Sequence, residues 1–253
     1  MPLPTNDEIA AWVAMHIGEF HRKRLEKLTT LDLRDVLKRK NPYLFRAKHI
    51  QTAEQLVRAL LDAHLSSQEE TMFGDFLERL AIWINEGTFG RRKSGISGID
   101  LEFERDGVRY IVAIKSGPNW ANSQQLKRLR ENFRQAARTL RTSGAKVPLQ
   151  AVNGCCYGRD SHEDKGDHLK LCGQAFWAFV SGNEALYIDI VEPLGTDARR
   201  YNDEFEKAYG QVVNRMTRTV IADFLDAKAG IDWSRLLAFN SGRVSAATSR
   251  RAR

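Results

Sequence analysis

The chain has 253 residues, 42% of them hydrophobic, enough to bury a sizeable core. No apolar run approaches the roughly 20 residues that span a bilayer, and the opening MPLPTNDEIAAW lacks the basic and then apolar regions of a secretion signal, so a cytoplasmic protein is expected. Lys and Arg outnumber Asp and Glu by 39 to 32, a net charge of +7, which suits a polyanionic partner because cationic side chains displace counterions condensed on phosphates.

The N-terminal third reads as helical. In NDEIAAWVAMHIGEFHRKRLEKL, Ile9, Trp12, Val13, His16 and Phe20 recur at helical spacing, with Asn6 as the candidate N-cap. A short helix in TTLDLRDVLKRK should end at Asn41-Pro42, since the residue before proline disfavours helical geometry. TAEQLVRALLDAHL, capped by Thr52, and SQEETMFGDFLERLAIWINEG, stopped at Gly87, read as two further helices. Residues 1–65 are thus a helical region and a candidate dimerisation element.

Strand signals begin at 97. Ile99, Leu101 and Phe103 alternate with Asp100, Glu102 and Glu104, giving one apolar and one acidic face. Asp106-Gly107 supplies hairpin turn chemistry, and VRYIVAIK follows as a largely apolar strand. A helix is expected over 122–142, a strand in VPLQAVNGCCYG, a helix in DHLKLCGQAFWAFVSG, a return to the sheet in ALYIDIVEPLG, and a helix over 201–227. This order predicts an α/β core, residues 66–240, inside helical N-terminal and C-terminal additions, followed by a basic tail over 241–253 that should be disordered.

The hairpin carries the chemistry. Phosphodiester hydrolysis needs a positioned water and neutralisation of developing charge, which carboxylate-held Mg²⁺ supplies with a neighbouring lysine serving the water. Asp100 begins the first strand, and Ala113 and Lys115, two apart on the second, share a face. Asp100, twelve residues, Ala113, one residue, Lys115 resembles the PD-(D/E)XK nuclease motif, with Ile99 in the proline position and Ala113 in place of the second acid.

The likeness extends further. NPYLFRAK, SSQEETMFGDFLERLA, SGIDLEFE, IKSGPNWANSQQ, GCCYG and LCGQAFWAFVSG together resemble a group of type II restriction endonucleases of the PD-(D/E)XK superfamily that cut short, G/C-rich, partly degenerate palindromes. The resemblance covers about residues 35–240. It implies a restriction-endonuclease-like central mixed sheet flanked by helices, and Mg²⁺ held by Asp100, position 113 and Ile114, with Lys115 serving the attacking water. It also implies a homodimer on duplex DNA. Glu78 is a candidate accessory acid, against the simpler reading of a solvated glutamate. Loss of a carboxylate at Ala113 should lower metal affinity and rate, and the otherwise intact surroundings fit an engineered Glu→Ala change that preserves DNA binding. Glu102 is a less well placed substitute.

The DNA-facing candidates follow the hairpin. On NSQQLKRLRENFRQAARTLR, Leu126, Leu129, Phe133, Ala136, Ala137 and Leu140 form the stripe expected to be buried, while Lys127, Arg130, Arg134, Arg138 and Arg141 line another face. Asn119, Asn122, Ser123, Gln124 and Gln125 offer neutral donors and acceptors at the helix start, and Arg91, Arg92 and Lys93 precede the hairpin.

Cys155, Cys156, His162, His168 and Cys172 match no familiar zinc spacing and read as core cysteines with loop histidines. Phe176, Trp177, Phe179 and Tyr187 read as core. The helix carrying Phe205, Val212 and Met216 should pack against the core or a second subunit; it and the N-terminal helices are dimer-interface candidates. A non-catalytic DNA-binding pseudonuclease and a structure-specific repair or recombination nuclease are the alternative functions.

Overall fold

The computed structural model describes residues 4–90, 93–144 and 147–243. The chain forms two compact units, each assembled from two segments: Met1–Phe20 with Glu70–Ala198, and His21–Glu69 with Arg199–Arg253. This interleaving differs from the contiguous boundary expected at residue 65. Four helices come first, α1 (Asn6–Thr29), α2 (Leu33–Arg39), α3 (Pro42–Ala47) and α4 (Ala53–Phe89).

The first unit holds the sheet, built from β1 (Leu101–Arg105), β2 (Val108–Lys115), β3 (Leu149–Cys155) and β4 (Leu169–Cys172) in that spatial order. β1 and β2 are an antiparallel hairpin, whereas β2–β3 and β3–β4 are parallel. The expected mixed α/β sheet is present. α5 (Ser123–Thr142) connects β2 to β3, as a parallel pair requires.

β2 is apolar and buried over residues 111–114 because both of its faces are covered there. Val112 and Ile114 join a core with Ile9 and Val13 of α1, Phe76 and Leu80 of α4, and Phe176 of α6 (Gln174–Ser181). Ile111 and Ala113 point the other way, into a layer with Leu129, Phe133, Ala136 and Leu140 of α5. The period-two alternation of a strand thus divides its side chains between two helical covers.

The second unit is helical. Leu28 of α1, Val36 of α2, Phe45 of α3 and Leu56, Leu60 and Leu61 of α4 pack with Phe205, Val212, Met216 and Val220. Those last four lie on α9 (Ala198–Phe224), their seven- and four-residue spacings making one buried stripe. α10 (Trp233–Ser241) had no counterpart in the sequence reading; Asp232 caps it, accepting from Arg235 N at 2.9 Å.

Several expected boundaries change. Thr5, not Asn6, caps α1: its Oγ1 accepts from Glu8 N at 3.2 Å while Glu8 accepts from Thr5 N at 2.8 Å. Asn41-Pro42 ends α2 and also starts α3, with Asn41 as N-cap and proline at the first helical position. The two helices expected over 52–87 are one, because Leu65-Ser66-Ser67 contains no breaker and Gly87 is carried through to Phe89.

DHLKLCGQAFWAFVSG is not helical throughout, since Leu169–Cys172 pairs as β4 and the helix starts only after Gly173 at φ +55°. ALYIDIVEPLG forms α7 (Leu186–Asp189) and α8 (Val191–Leu194) rather than a strand. Burial of Leu186 and Ile190, four apart, beside exposed Tyr187, Ile188 and Val191 is helical and not alternating periodicity. Tyr187 is therefore not core, whereas Phe176, Trp177 and Phe179 are. Leu126 is also exposed, in the first turn of α5. The tail from 244 onward lies outside the described residues.

Candidate active site

The hairpin register brings Asp100 and Lys115 together. Asp100 N donates to Val112 O at 2.9 Å, which sets its carboxylate beside the end of β2. There Oδ2 accepts from Ile114 N at 2.7 Å and lies 3.8 Å from Lys115 Nζ. Lys115 also donates to Ile114 O at 2.8 Å, and its ammonium sits 5.3 Å from the centre of the Trp120 ring.

Ala113 brings no polar side chain to this meeting point. It is 1% exposed in the layer between the sheet and α5, with Ile99, Leu129 and Phe133, and its methyl group offers no donor atom. Glu102 is committed to Arg109, at 3.2 Å, with Ser94 Oγ at 3.5 Å.

Helix α4 closes over this end of the hairpin. A Cβ on Gly74 would stand 3.4 Å from Ser116 Cβ, so the helix backbone passes the turn after β2 at van der Waals distance. One turn on, Glu78 takes an ion pair from Lys93 at 3.3 Å. Burial raises the Glu78 carboxyl above its ordinary value and the negative charge of Asp100 raises it further, while Lys93 and Lys115 oppose the shift. A cleft of about 600 Å³ lies here, lined by Ile114, Lys115 and Trp120 and by Glu70, Asp75 and Glu78 of α4.

The turn Ser116-Gly117-Pro118 is clamped from below. Cys156 N and Tyr157 N donate to Lys115 O at 2.9 Å and Ser116 O at 3.1 Å. The Tyr157 ring occupies the space a side chain at Gly117 would need. Lys170 Nζ donates to Pro118 O at 3.1 Å and pairs with Asp160 Oδ2 at 3.0 Å. Asp160 also accepts from Lys165 at 2.9 Å and from His162 N at 3.0 Å. Lys165 above all, then the His162 N–H and Lys170, holds its carboxyl well below the usual carboxylate range.

The candidate DNA face divides on inspection. Lys127, Arg130, Arg134, Arg138 and Arg141 are exposed along α5, and Arg130 pairs with Asp167 at 3.2 Å. Asn122 and Gln125 are occupied with each other as the capping box of this helix. Asn119, Ser123 and Gln124 are exposed, and Asn119 borders the cleft. Arg91 and Arg92 lie outside the described residues; Lys93 is tied to Glu78.

The three cysteines are buried thiols, as expected. Cys155 and Cys172 are register partners on β3 and β4. His168 Nδ1 is 2.7 Å from Asp167 Oδ1, and the His162 ring contacts Ser161 Oγ at 2.9 Å. Among the described residues, no group of three or more His, Cys, Asp or Glu could hold a metal ion.

Sequence reading did not single out Glu70, Asp75, Trp120, Tyr157, Asp160 or Lys170 for this site. The α4 acids carried a readable signal, since Glu70 and Glu78 lie eight apart with Gly74 midway and thus share a helix face. The partners on β3, β4 and their loop carried none, because only the parallel pairing brings them to the hairpin.

The family model of the type II restriction endonuclease EcoO109I matches residues 7–202. The chain belongs to this family. The match takes in the hairpin, the cleft, α5 and the clamped turn. A search of curated proteins gives no match. Membership in the EcoO109I family makes the chain a type II nuclease acting on DNA, and no helix among the described residues is long and apolar enough to cross a membrane.

Proposed function

We propose that this protein hydrolyses both strands of duplex DNA at a short, G/C-rich, partly degenerate palindrome, as a Mg²⁺-dependent homodimer. The observation that carries the reading is the Asp100–Lys115 pair, whose lysine lines a cleft, continuous in sequence with the basic face of α5. Two-fold symmetry would give each strand of a palindrome its own catalytic centre.

The donor set suits the cation. Mg²⁺ binds through one or two carboxylates, waters and substrate phosphate oxygens and not through an all-protein cage. Asp100 and the Ile114 carbonyl are hard oxygen donors at one point of the hairpin, whereas Ala113 contributes none. When bound, the ion neutralises charge developing on the scissile phosphate and lowers the pKa of its water.

The protein's own groups do the positioning. Lys115, steadied by Asp100 and Trp120, donates a hydrogen bond to the attacking water or to a phosphate oxygen. Water oxygen forms a bond to phosphorus as the bond from phosphorus to the leaving sugar oxygen breaks. The water's proton passes to solvent through the open cleft, and the leaving oxygen takes up a proton from solvent. Lys127, Arg134 and Arg138 hold flanking phosphates by charge.

The test is digestion of a sequenced plasmid by the full chain with and without Mg²⁺, followed by sequencing of the ends. A single palindromic sequence at every end supports the reading. Binding of duplex DNA with no cleavage in Mg²⁺ would favour the pseudonuclease if Ala113→Glu is also inert, and a nuclease disarmed at position 113 if Ala113→Glu cuts; preferential cutting of forked or mismatched DNA would favour a repair nuclease.

A further inference from the structure

We propose that Asn153 of β3 is a positioning residue for an acidic side chain at position 113: its buried amide is set to hold a carboxylate that Ala113 does not supply. This role rests on the reading of the chain as a metal-dependent nuclease.

The strand register puts the two positions side by side. Ala113 and Asn153 are partners in the parallel pairing of β2 with β3, on strands that run about 5 Å apart. Their side chains leave the same face of the sheet. Ala113 belongs to the layer beneath α5, and so does Ala151, two residues before Asn153. Gly154, the next residue, faces the other way, against the Phe176 ring. Asn153 thus stands in the α5 layer beside the Ala113 methyl group.

An asparagine is out of place there. Asn153 is 0% exposed, in a layer whose Ile111, Leu129, Phe133 and Ala136 are all apolar. Neither its side-chain oxygen nor its nitrogen has a hydrogen-bond partner among the described residues. Burying an unpaired amide is costly, and an apolar side chain would pack there without that cost. Asn85, equally buried, donates to Val180 O at 3.3 Å. On the far side of Asn153, its register partner Lys170 is committed to Asp160 and to Pro118 O. On the near side is the methyl group of Ala113.

A glutamate at position 113 would answer the amide. Lys115, two residues further along the same face, meets Asp100 at 3.8 Å. A carboxylate at 113 would therefore emerge on the side of β2 from which Lys115 reaches Asp100, with Asn153 next to it. The Asn153 N–H donates to one carboxylate oxygen and leaves the other free for a cation. That donation favours the ionised form, which burial alone would oppose. Asn153 orients the ligand without touching the metal.

The test compares the unaltered chain, Ala113→Glu, Asn153→Val and the double variant. Tb³⁺, a hard oxygen-seeking ion excited through tryptophan, reports metal affinity apart from cleavage. Ala113→Glu should bind Tb³⁺ and cut plasmid DNA in Mg²⁺ at least about 10-fold better than the unaltered chain. Adding Asn153→Val should take back about 10-fold of the Tb³⁺ affinity, the scale for losing a group that orients a metal ligand. The same substitution in the unaltered chain should cost far less affinity. The melting midpoint should change sign between backgrounds. Asn153→Val raises it in the unaltered chain, where the amide is unpaired, and lowers it beside Ala113→Glu. Asn153→Thr, close to valine in size but with a hydroxyl donor, should keep part of the affinity beside Ala113→Glu. If Ala113→Glu does not fold, Ala113→Gln, neutral and as long, carries the same midpoint comparison.

Equal Tb³⁺ affinity of Ala113→Glu with and without Asn153→Val overturns the role of Asn153, while cleavage by Ala113→Glu leaves the nuclease reading standing. A midpoint that falls for Asn153→Val in the unaltered chain also overturns the role, since the amide would already be satisfied. Absence of Tb³⁺ binding and of cleavage in both the unaltered chain and a folded Ala113→Glu chain overturns the nuclease reading as well.

Discussion

Asp100 and Lys115 meet across the β1–β2 hairpin, 3.8 Å apart, with one Asp100 oxygen also held by the Ile114 backbone N–H. Each residue reaches the other only because the antiparallel register sets Leu101 opposite Val112. Asp100→Asn and Lys115→Met should therefore each reduce plasmid cleavage by at least about 100-fold, the scale of removing one positioned electrostatic group from an active site. Both side chains are partly exposed, so thermal unfolding should move little. Cleavage at near-native rate by either variant would remove the pair from the mechanism.

The basic face of α5 predicts a different signature. Arg134 is exposed and has no ion pair among the described residues, whereas Arg130 is shared with Asp167. Arg134→Ala should weaken binding to all duplex sequences alike and lower the salt dependence by about one counterion, because a phosphate contact is lost and not a base contact. Arg130→Ala should do less, since its charge is already part-compensated. Fluorescence anisotropy across a salt series, with specific and random duplexes, reads both quantities. A loss confined to the specific duplex would make Arg134 a base-reading residue.

How much of this could be read in the sequence depended on how local the determining contacts were. The hairpin was legible because turn chemistry at Asp106-Gly107 and strand alternation both act over a few residues. So was α5, where apolar and basic stripes share one helix. β4 was hidden because Leu169–Cys172 is only four residues long and is a strand solely through its pairing with β3. α7 and α8 were misread because a short apolar run fits either period until its buried neighbours choose one. At the site, Asp100 and Lys115 were visible as a spacing. Glu78 was visible only as a candidate accessory acid, and its place at the cleft depends on α4, which runs on to Phe89, passing the turn after β2 at Gly74.

The thiols offer a direct check on the sheet. Burial, and then the charge of Glu78, pushes the Cys156 thiol up to about 12, and burial raises Cys155 and Cys172 as well. The thiolate is the reactive form, so at pH 7.5 a water-soluble disulfide reagent should label none of the three in the folded protein and all three in denaturant. The labelling rate should follow global unfolding. Rapid labelling of one thiol in native buffer would show that β3 or β4 opens independently of the rest of the sheet.

The Asp160 clamp gives the pH prediction. Its carboxylate takes hydrogen bonds or ion pairs from Lys165, Lys170 and the His162 N–H, and Lys170 in turn holds Pro118 O. Because the folded-state pKa is depressed, the ionised form is favoured by folding. The resulting stability is fully present above the unfolded value near 3.8 and is lost as pH falls through the still lower folded value. Asp160→Asn should cost about 1–3 kcal/mol at pH 7, the range for losing hydrogen bonds to a charged group, and the difference from the unaltered protein should shrink steadily below pH 4. It should also slow cleavage without weakening DNA binding, since the released turn carries Lys115 and Trp120 but none of the α5 cations. Denaturant melts at several pH values, beside cleavage and anisotropy at pH 7, test both halves. A stability difference that persists unchanged at acid pH would mean that the clamp acts through packing and not through its charge.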